Sequence, residues 1–373
     1  MTGENKTLWS YIIKRYFAQL GVMAGILLGL VLFFDTIELL RRASDHGDIP
    51  LYRIFQMSLL KLPDIAQTIS PFIILFGSIM MLWSLNTKNE ITIFRLSGYS
   101  IWQFMAPIIA SSIIIGMIIV GGINPIGAVL LKKFNKLEQI YLSKDENEIA
   151  FMENGLWLRQ PSEKGYAVIH AKDIDMKNWE LSNIIGLAFD YEDRFLWRID
   201  ADTAHLKQGE WVFNNAHMVS RISEQSFQAQ ESEQNNVRIT LPTSLTPAKI
   251  TKSFSSAETM SFWQLPRYIK TLESTGFDPS SLRIHFQSLL ALPLFFAALT
   301  LIAACVTLRP PRSQNSFKLI AIGVGIGFIL FFLSNFLKAL GASSQIPIFV
   351  AAWTPVAITA LFGGGILLSL EDG

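Results

Sequence analysis

The sequence predicts an α-helical polytopic membrane protein with six transmembrane helices and an inserted all-β domain of β-jellyroll-like form. Three observations predict it. Of 373 residues, 50% are hydrophobic and only 16% are charged, against roughly 25% charged in an ordinary soluble domain. The apolar residues gather into six runs almost free of Asp, Glu, Lys and Arg, several of them at or beyond the roughly 20 residues that an α-helix needs to cross a bilayer. Between the third and fourth runs lies a polar stretch in which apolar and polar residues alternate with the two-residue period of a half-buried strand.

The first run covers residues 17–34, with Gln19 its one strongly polar member, and the second covers 65–85. The third covers 101–131, long enough that its end near Asn124 and Pro125 is expected to project beyond the hydrocarbon. The fourth, fifth and sixth cover 286–308, 319–337 and 339–370, the last spanning from about Gln345 to Leu368. A cleaved signal peptide does not account for the first run, because no small-residue cleavage site precedes the charges that begin at Asp35. The domain plan is therefore helices one to three in 1–131, a β-domain in 132–257, an amphipathic connecting helix in 258–280 and helices four to six in 281–373.

Within the insertion, strands are expected at 166–170, 195–200, 211–213 and 237–241, separated by the turn-prone Gly155, Gly165, Gly186 and Gly209. Phe262, Leu265, Tyr268, Ile269 and Leu272 then fall at helical spacing, with Arg267, Lys270 and Glu273 on the opposite side. Lys6, Lys14 and Arg15 precede the first span, so the excess of bases in cytoplasmic loops places the N-terminus inside and the β-domain outside. Arg41, Arg42, Arg53 and Lys61 then lie outside, against that rule. Either the chain is inverted, or these bases hold an anionic ligand at the outer surface.

Several functions are excluded or unsupported. A net charge of +1 offers no general attraction to nucleic acid. One cysteine, Cys305, rules out an internal disulfide and a cysteine-built zinc site. The sequence has no G-x-x-x-x-G-K-[ST] phosphate loop and no G-x-S-x-G elbow, and its five histidines are scattered. No polar catalytic cluster is visible within the spans, and no cofactor is implied.

Three features remain. The loop 86–98 carries Glu90, Ile91, Phe94, Arg95 and Leu96 ahead of Gly98, a pattern that predicts a short amphipathic helix near 88–98 for a cytoplasmic partner. Asp35, Glu38, Arg41 and Arg42 share a helical face, as an internally paired helix end also would. Gly323, Gly325 and Gly327, and Gly363 to Gly365, suit close helix approach.

The loop 89–98, the Asn124-Pro125 pair, Gly155-Leu-Trp157, Ser274-Thr-Gly276 and Arg309-Pro-Pro-Arg312 arrive in an order that resembles the LptF/LptG (YjgP/YjgQ) family of lipopolysaccharide-export permeases. Gly155-Leu-Trp157 and the terminal Glu371-Asp-Gly373 look more like the G-type subunit than the F-type. The resemblance implies a Gram-negative inner-membrane permease paired with an F-type subunit and driven by an LptB-like cytoplasmic ATPase dimer. It implies delivery of lipopolysaccharide through a periplasmic β-jellyroll to an LptC-like bitopic protein and an LptA-like bridge, with spans one and five as a lateral gate. By the same resemblance, Glu90, Ile91, Phe94, Arg95 and Gly98 belong to the ATPase coupling helix, and Glu38, Arg41, Arg42 and Lys61 to the lipid-headgroup site. The chain departs from the G-type pattern at Asp35 and Asp64, where lysines stand in the family. A competing reading is a non-transporting ABC-type scaffold or signalling permease, which needs no lipid-sized cavity; photocrosslinking to lipopolysaccharide separates the two.

Overall fold

In this computed structural model the described residues are 3–44, 49–142, 148–152, 155–162, 165–175, 180–207, 209–220, 237–243, 259–274, 279–308 and 316–372. They form two compact units: Met1–Tyr141, Glu258–Pro266 and Ser280–Gly373 in one, Leu142–Ala257 and Arg267–Pro279 in the other. In chain order the helices are α1 (Gly3–Ser44), α2 (Leu51–Thr87), α3 (Glu90–Leu96), α4 (Ile101–Ile118), α5 (Asn124–Tyr141), α6 (Leu265–Ser274), α7 (Ser280–Thr307), α8 (Ser316–Ala342) and α9 (Ile348–Asp372). The motif Arg309-Pro-Pro-Arg312 and most of Ser274-Thr-Gly276 lie outside the described residues.

Six stretches of the described residues are helical, long and apolar enough to cross a membrane: Thr7–Ser44, Leu51–Thr87, Ile101–Glu138, Ser280–Thr307, Ala321–Ala342 and Ile348–Ser369. Most outrun the charge-free segments. A helix satisfies its own backbone hydrogen bonds, so charges at its ends do not stop it as they would stop burial in hydrocarbon. Thus α1 continues through Asp35 and Glu38, and α2 begins fourteen residues before Ile65 and passes through Pro63 and Pro71.

The third span does not stop at Asn124-Pro125. A five-residue π-turn, Ile119–Ile123, joins α4 to α5, and the helix runs on to Tyr141. Proline at 125 has no N–H to give the carbonyl four residues back, on Gly121. The π-turn relieves that clash, and the Trp263 indole N–H donates to Gly121 O instead, at 3.2 Å. Asn124, buried, accepts from the Phe262 backbone N–H at 2.7 Å and donates to Gln67 Oε1 at 3.0 Å. The pair marked as a span end is therefore a junction between α2, the α4–α5 bend and the chain entering α6.

The bundle core is built from small approaches and shared hydroxyls. Ile12, Tyr16 and Leu20, four residues apart, form the packed stripe of α1. The buried Tyr16 hydroxyl lies 2.9 Å from Ser112 Oγ on α4 and 3.3 Å from Ser78 Oγ on α2, joining three helices by hydrogen bonds that lipid cannot replace. Gly323 meets Ile79 and Gly363 meets Leu301 so closely that a Cβ would collide, and Gly327 lies tight against Leu75 and Phe72. Gly325, Gly364 and Gly365 face open space, so two glycines of the first patch and one of the second serve packing within this chain.

In the second unit, β1 (Glu148–Met152), β2 (Gly155–Ser162), β3 (Gly165–Asp175), β4 (Glu180–Asp190), β5 (Phe195–Lys207), β6 (Glu210–Ser220) and β7 (Val237–Pro242) form one antiparallel sheet in sequential order. Each of the four expected strands falls inside one of these. The turn assignment of Gly186 is corrected: it lies within β4, pairs with Ile169 and Ile199, and leaves no more than contact distance to the Trp197 ring. The phase of the buried alternation changes in β4, from Leu181 to Ile184, across Asn183 at φ 53. A period-2 pattern that slips by one residue at a left-handed Asn does not register as a strand in sequence. The β4–β5 turn is closed by Asp190, whose carboxylate accepts from the Arg194 and Glu192 backbone amides and the Arg194 side chain, holding it below the ordinary carboxylate range.

Helix α6 begins at Leu265, later than the periodicity suggests. Leu265, Ile269 and Leu272 are buried within the protein. Phe262 falls before the helix and stacks on Phe286, with ring centroids 5.2 Å apart.

Candidate functional site

The charged residues singled out at the end of α1 and the start of α2 come together, but as ion pairs. Lys61 Nζ stands 2.8 Å from Asp35 Oδ1 and 5.6 Å from the centroid of the Phe134 ring. Glu38 receives a bidentate fork from Arg41, at 2.7 and 2.9 Å. Arg42 reaches across to Glu138 on α5 at 2.7 Å. Arg53 donates to Gln56 at 2.9 Å.

The four acidic and basic residues of α1 are thus not one internally paired set. Among the described residues Glu38 and Arg41 pair within the helix, Asp35 binds Lys61 and Arg42 binds Glu138. Sequence spacing revealed the first relation and could not reveal Glu138, which is 96 residues from Arg42. The exposed Glu38–Arg41 pair, screened by solvent, opens at little cost. Asp35 is different: it is largely buried, and its Oδ2 has no hydrogen-bond partner.

At the opposite end of α1 a second constellation holds α3. Arg15 donates to Glu90 Oε1 at 3.0 Å and to Ser84 Oγ at 3.0 Å, while the Tyr11 hydroxyl donates to Glu90 Oε2 at 2.9 Å and also pairs with Arg15. The ion pair is sheltered, with 18% and 24% of the two side chains exposed. Asn89, at φ 58, turns the chain out of α2, and Gly98, at φ 83, ends the segment as glycine can.

Between those turns the faces of α3 divide. Ile91 is buried and Phe94 packs on Phe104, 5.7 Å between centroids. Ile93 and Leu96 are left 59% and 83% exposed, and Arg95 is exposed beside them. The apolar residues Ile91 and Phe94 therefore anchor the helix, and the outward apolar pair is Ile93 and Leu96. Ile93 escaped the sequence reading because the spacing of Ile91, Phe94 and Leu96 draws the eye to one stripe, whereas a seven-residue helix presents two.

The spans also contain what sequence reading did not find there. Between α2, α7, α8 and α9 lies a cavity of about 300 Å³ whose lining includes Asp64, Gln67, His285, Ser288, Asn335 and Lys338. Polar side chains of three spans thus gather at one cavity. Among the described residues no group of three or more His, Cys, Asp or Glu is arranged to hold a metal ion.

Comparison with known proteins gives a consistent result. The family model described as lipopolysaccharide export system permease LptF/LptG matches residues 10–369. A relative in Escherichia coli (strain K12), the lipopolysaccharide export system permease protein LptG, is 24% identical over 359 residues, covering 93% of this chain and 94% of its own. The protein of the same name in Haemophilus influenzae is 21% identical over 358 residues, covering 94% of each chain.

Proposed function

The chain belongs to the LptF/LptG family of lipopolysaccharide export system permeases, and on that premise we propose that it is the G-type transmembrane half of an ATP-driven exporter. In this reading the permease pairs with an F-type subunit, takes lipopolysaccharide from the outer leaflet of the inner membrane, and passes it through the β-jellyroll-like insertion. The acceptors are an LptC-like bitopic protein and an LptA-like bridge. Both termini are cytoplasmic, the β-domain is periplasmic, and the energy comes from an LptB-like ATPase dimer, since the chain carries no phosphate loop of its own. G-type assignment is supported by relatives named LptG over more than nine-tenths of the chain.

The observation that carries the coupling role is the seating of α3. Its outer face offers Ile93, Arg95 and Leu96 to a groove on the ATPase, while its inner face and Glu90 are tied to α1 through Arg15 and Tyr11. A push on α3 therefore reaches α1, one wall of the proposed lateral gate with α8. At the far end of α1, Arg41 and Arg42 exchange their carboxylate partners for lipid phosphate, which charge-assisted forks bind well. Glu38 and Glu138 hold these bases until the phosphate arrives, and Lys61 remains on Asp35.

Purification in mild detergent tests this reading. The chain alone hydrolyses no ATP, and the native complex contains an ATPase and a second six-span subunit. A photocrosslinker on α1 forms lipopolysaccharide adducts that decline on addition of ATP and acceptor. Absence of both partners, or of any such adduct, would falsify the proposal.

A further inference from the structure

The third span is built from two arms that different neighbours hold. Ahead of the π-turn, Gly116 of α4 lies against Pro293 of α7 with no room for a Cβ between them. Beyond it, a Cβ added to Gly127 of α5 would just touch Pro63 and Asp64 of α2. A shift of α2 relative to α7 therefore falls on the joint between the arms. That joint, Ile119–Ile123, buries Ile119 and Val120 but exposes Gly121 and Gly122, and a Cβ on Gly122 would meet nothing within 4 Å. A π-turn carries one residue more than the α-helix around it. Because an α-helix turns by roughly 100° per residue, gain or loss of that residue rotates one arm against the other.

A strap crosses this joint. Residues 261–264 lie in sequence between the β-sheet and α6, and they bond to both sides of it. The Phe262 backbone N–H donates at 2.7 Å to Asn124 Oδ1, on the first residue of α5, and the Trp263 indole N–H donates at 3.2 Å to Gly121 O, inside the joint. Asn124 passes the tie to α2 through Gln67, and the Phe262 ring stacks on Phe286 of α7. The two ties differ in kind. Asn124 is 5% exposed and bonded twice, whereas Trp263 is 66% exposed and makes the longer bond. The indole bond also stands where Pro125 has removed the backbone N–H that an α-helix would give to Gly121 O. One side of the joint is thus pinned from within, and the other is closed by an exposed side chain.

We propose that Ile119–Ile123 is a working hinge of the third span and that the Trp263 indole is its releasable clasp, with Asn124 as the fixed pin. With the clasp open, Gly121 and Gly122 take up a turn of α4 against α5 without a side chain in the way. The far part of α5 carries Glu138, which holds Arg42, and Phe134, whose ring faces Lys61, so the same turn changes those contacts. That consequence rests on the export reading; the hinge itself does not.

The test measures distances by pulsed electron paramagnetic resonance on the full chain in lipid nanodiscs. Nitroxide labels replace Ile114 on α4 and Ile140 on α5, 48% and 61% exposed, in a Cys305→Ser background that removes the one native thiol. The chain with Trp263 and Pro125 intact holds one dominant distance. Trp263→Phe keeps the ring and loses the N–H, and it raises a second distance about fivefold, the population ratio that one ordinary hydrogen bond corresponds to. Pro125→Ala supplies the missing backbone N–H and gives one narrow distance, alone and combined with Trp263→Phe. Thermal midpoints verify that each variant is folded. A distribution that Trp263→Phe leaves unchanged, or that Pro125→Ala leaves as broad as in Trp263→Phe, overturns the hinge. In the complex with its ATPase and F-type partner, ATP with vanadate also populates the second distance. A distribution that shifts with Trp263→Phe but not with nucleotide supports the hinge and overturns its link to ATP. Lipid transfer at the wild-type rate in Pro125→Ala overturns its use in export and leaves export standing.

Discussion

Glu90 shows how a residue chosen for one contact serves another. In the folded chain its two carboxylate oxygens are already taken by Arg15 and Tyr11, so its effect on the ATPase passes through the position of α3. Glu90→Ala and Arg15→Ala should each reduce ATP-driven lipid release severalfold while leaving the permease folded. The double variant should lose no more than the worse single one, because contacting residues couple by about 0.5–3 kcal/mol; additive losses would mean that the two act separately. Arg41→Glu combined with Arg42→Glu should lower lipid-stimulated ATPase activity, since repulsion replaces attraction to phosphate. Stimulation at the wild-type level in that variant would make these ordinary helix-end charges. Residue types were legible in sequence at these positions, but partners were not. Lys61 finding Asp35, or Arg42 finding Glu138, depends on which helices the fold sets side by side.

Among the elements, long periodic segments were readable and interrupted ones were not. The strand β4 combines a left-handed Asn183, a central Gly186 and a slipped alternation, each of which imitates a turn. The π-turn at Ile119–Ile123 was hidden because Gly-Gly followed by Asn-Pro reads as an ending, and its repair by the Trp263 indole comes from 142 residues away. The glycine patches were recognised as small-residue faces, yet sequence does not distinguish their inward from their outward members. Gly363→Val should lower the thermal midpoint of the detergent-purified chain, overpacking against Leu301 and Ile302 costing about 1–3 kcal/mol. Gly364→Val, into open space, should move it far less. Equal shifts would show that helix propensity rather than packing decides.

On the scale of the whole molecule, the charge-free criterion that located six spans also concealed their chemistry. Asp64, His285 and Lys338 each stand immediately outside a charge-free run, at 65, 286 and 337. A rule that ends a span at its first ionisable residue discards part of what lines an intramembrane cavity. Near-neutral net charge conceals the same kind of detail. Arg41, Arg42 and Lys61 are paired with carboxylates on two helices, α1 and α5, so among the described residues this end of the bundle carries ion pairs and not bare bases alone. A chain of contacts then runs from the exposed face of α3 through Glu90 and Arg15 into α1, and along α1 to Arg41 and Arg42. The central claim is that this chain converts ATP hydrolysis elsewhere into movement of a lipid. Its most direct measurement is lipopolysaccharide transfer to a soluble acceptor, from vesicles holding the permease with its F-type partner and ATPase. The account predicts transfer that requires ATP and falls severalfold in Arg15→Ala even though the ATPase remains bound; ATP-independent transfer, or an Arg15→Ala complex that exports at the wild-type rate, would contradict it.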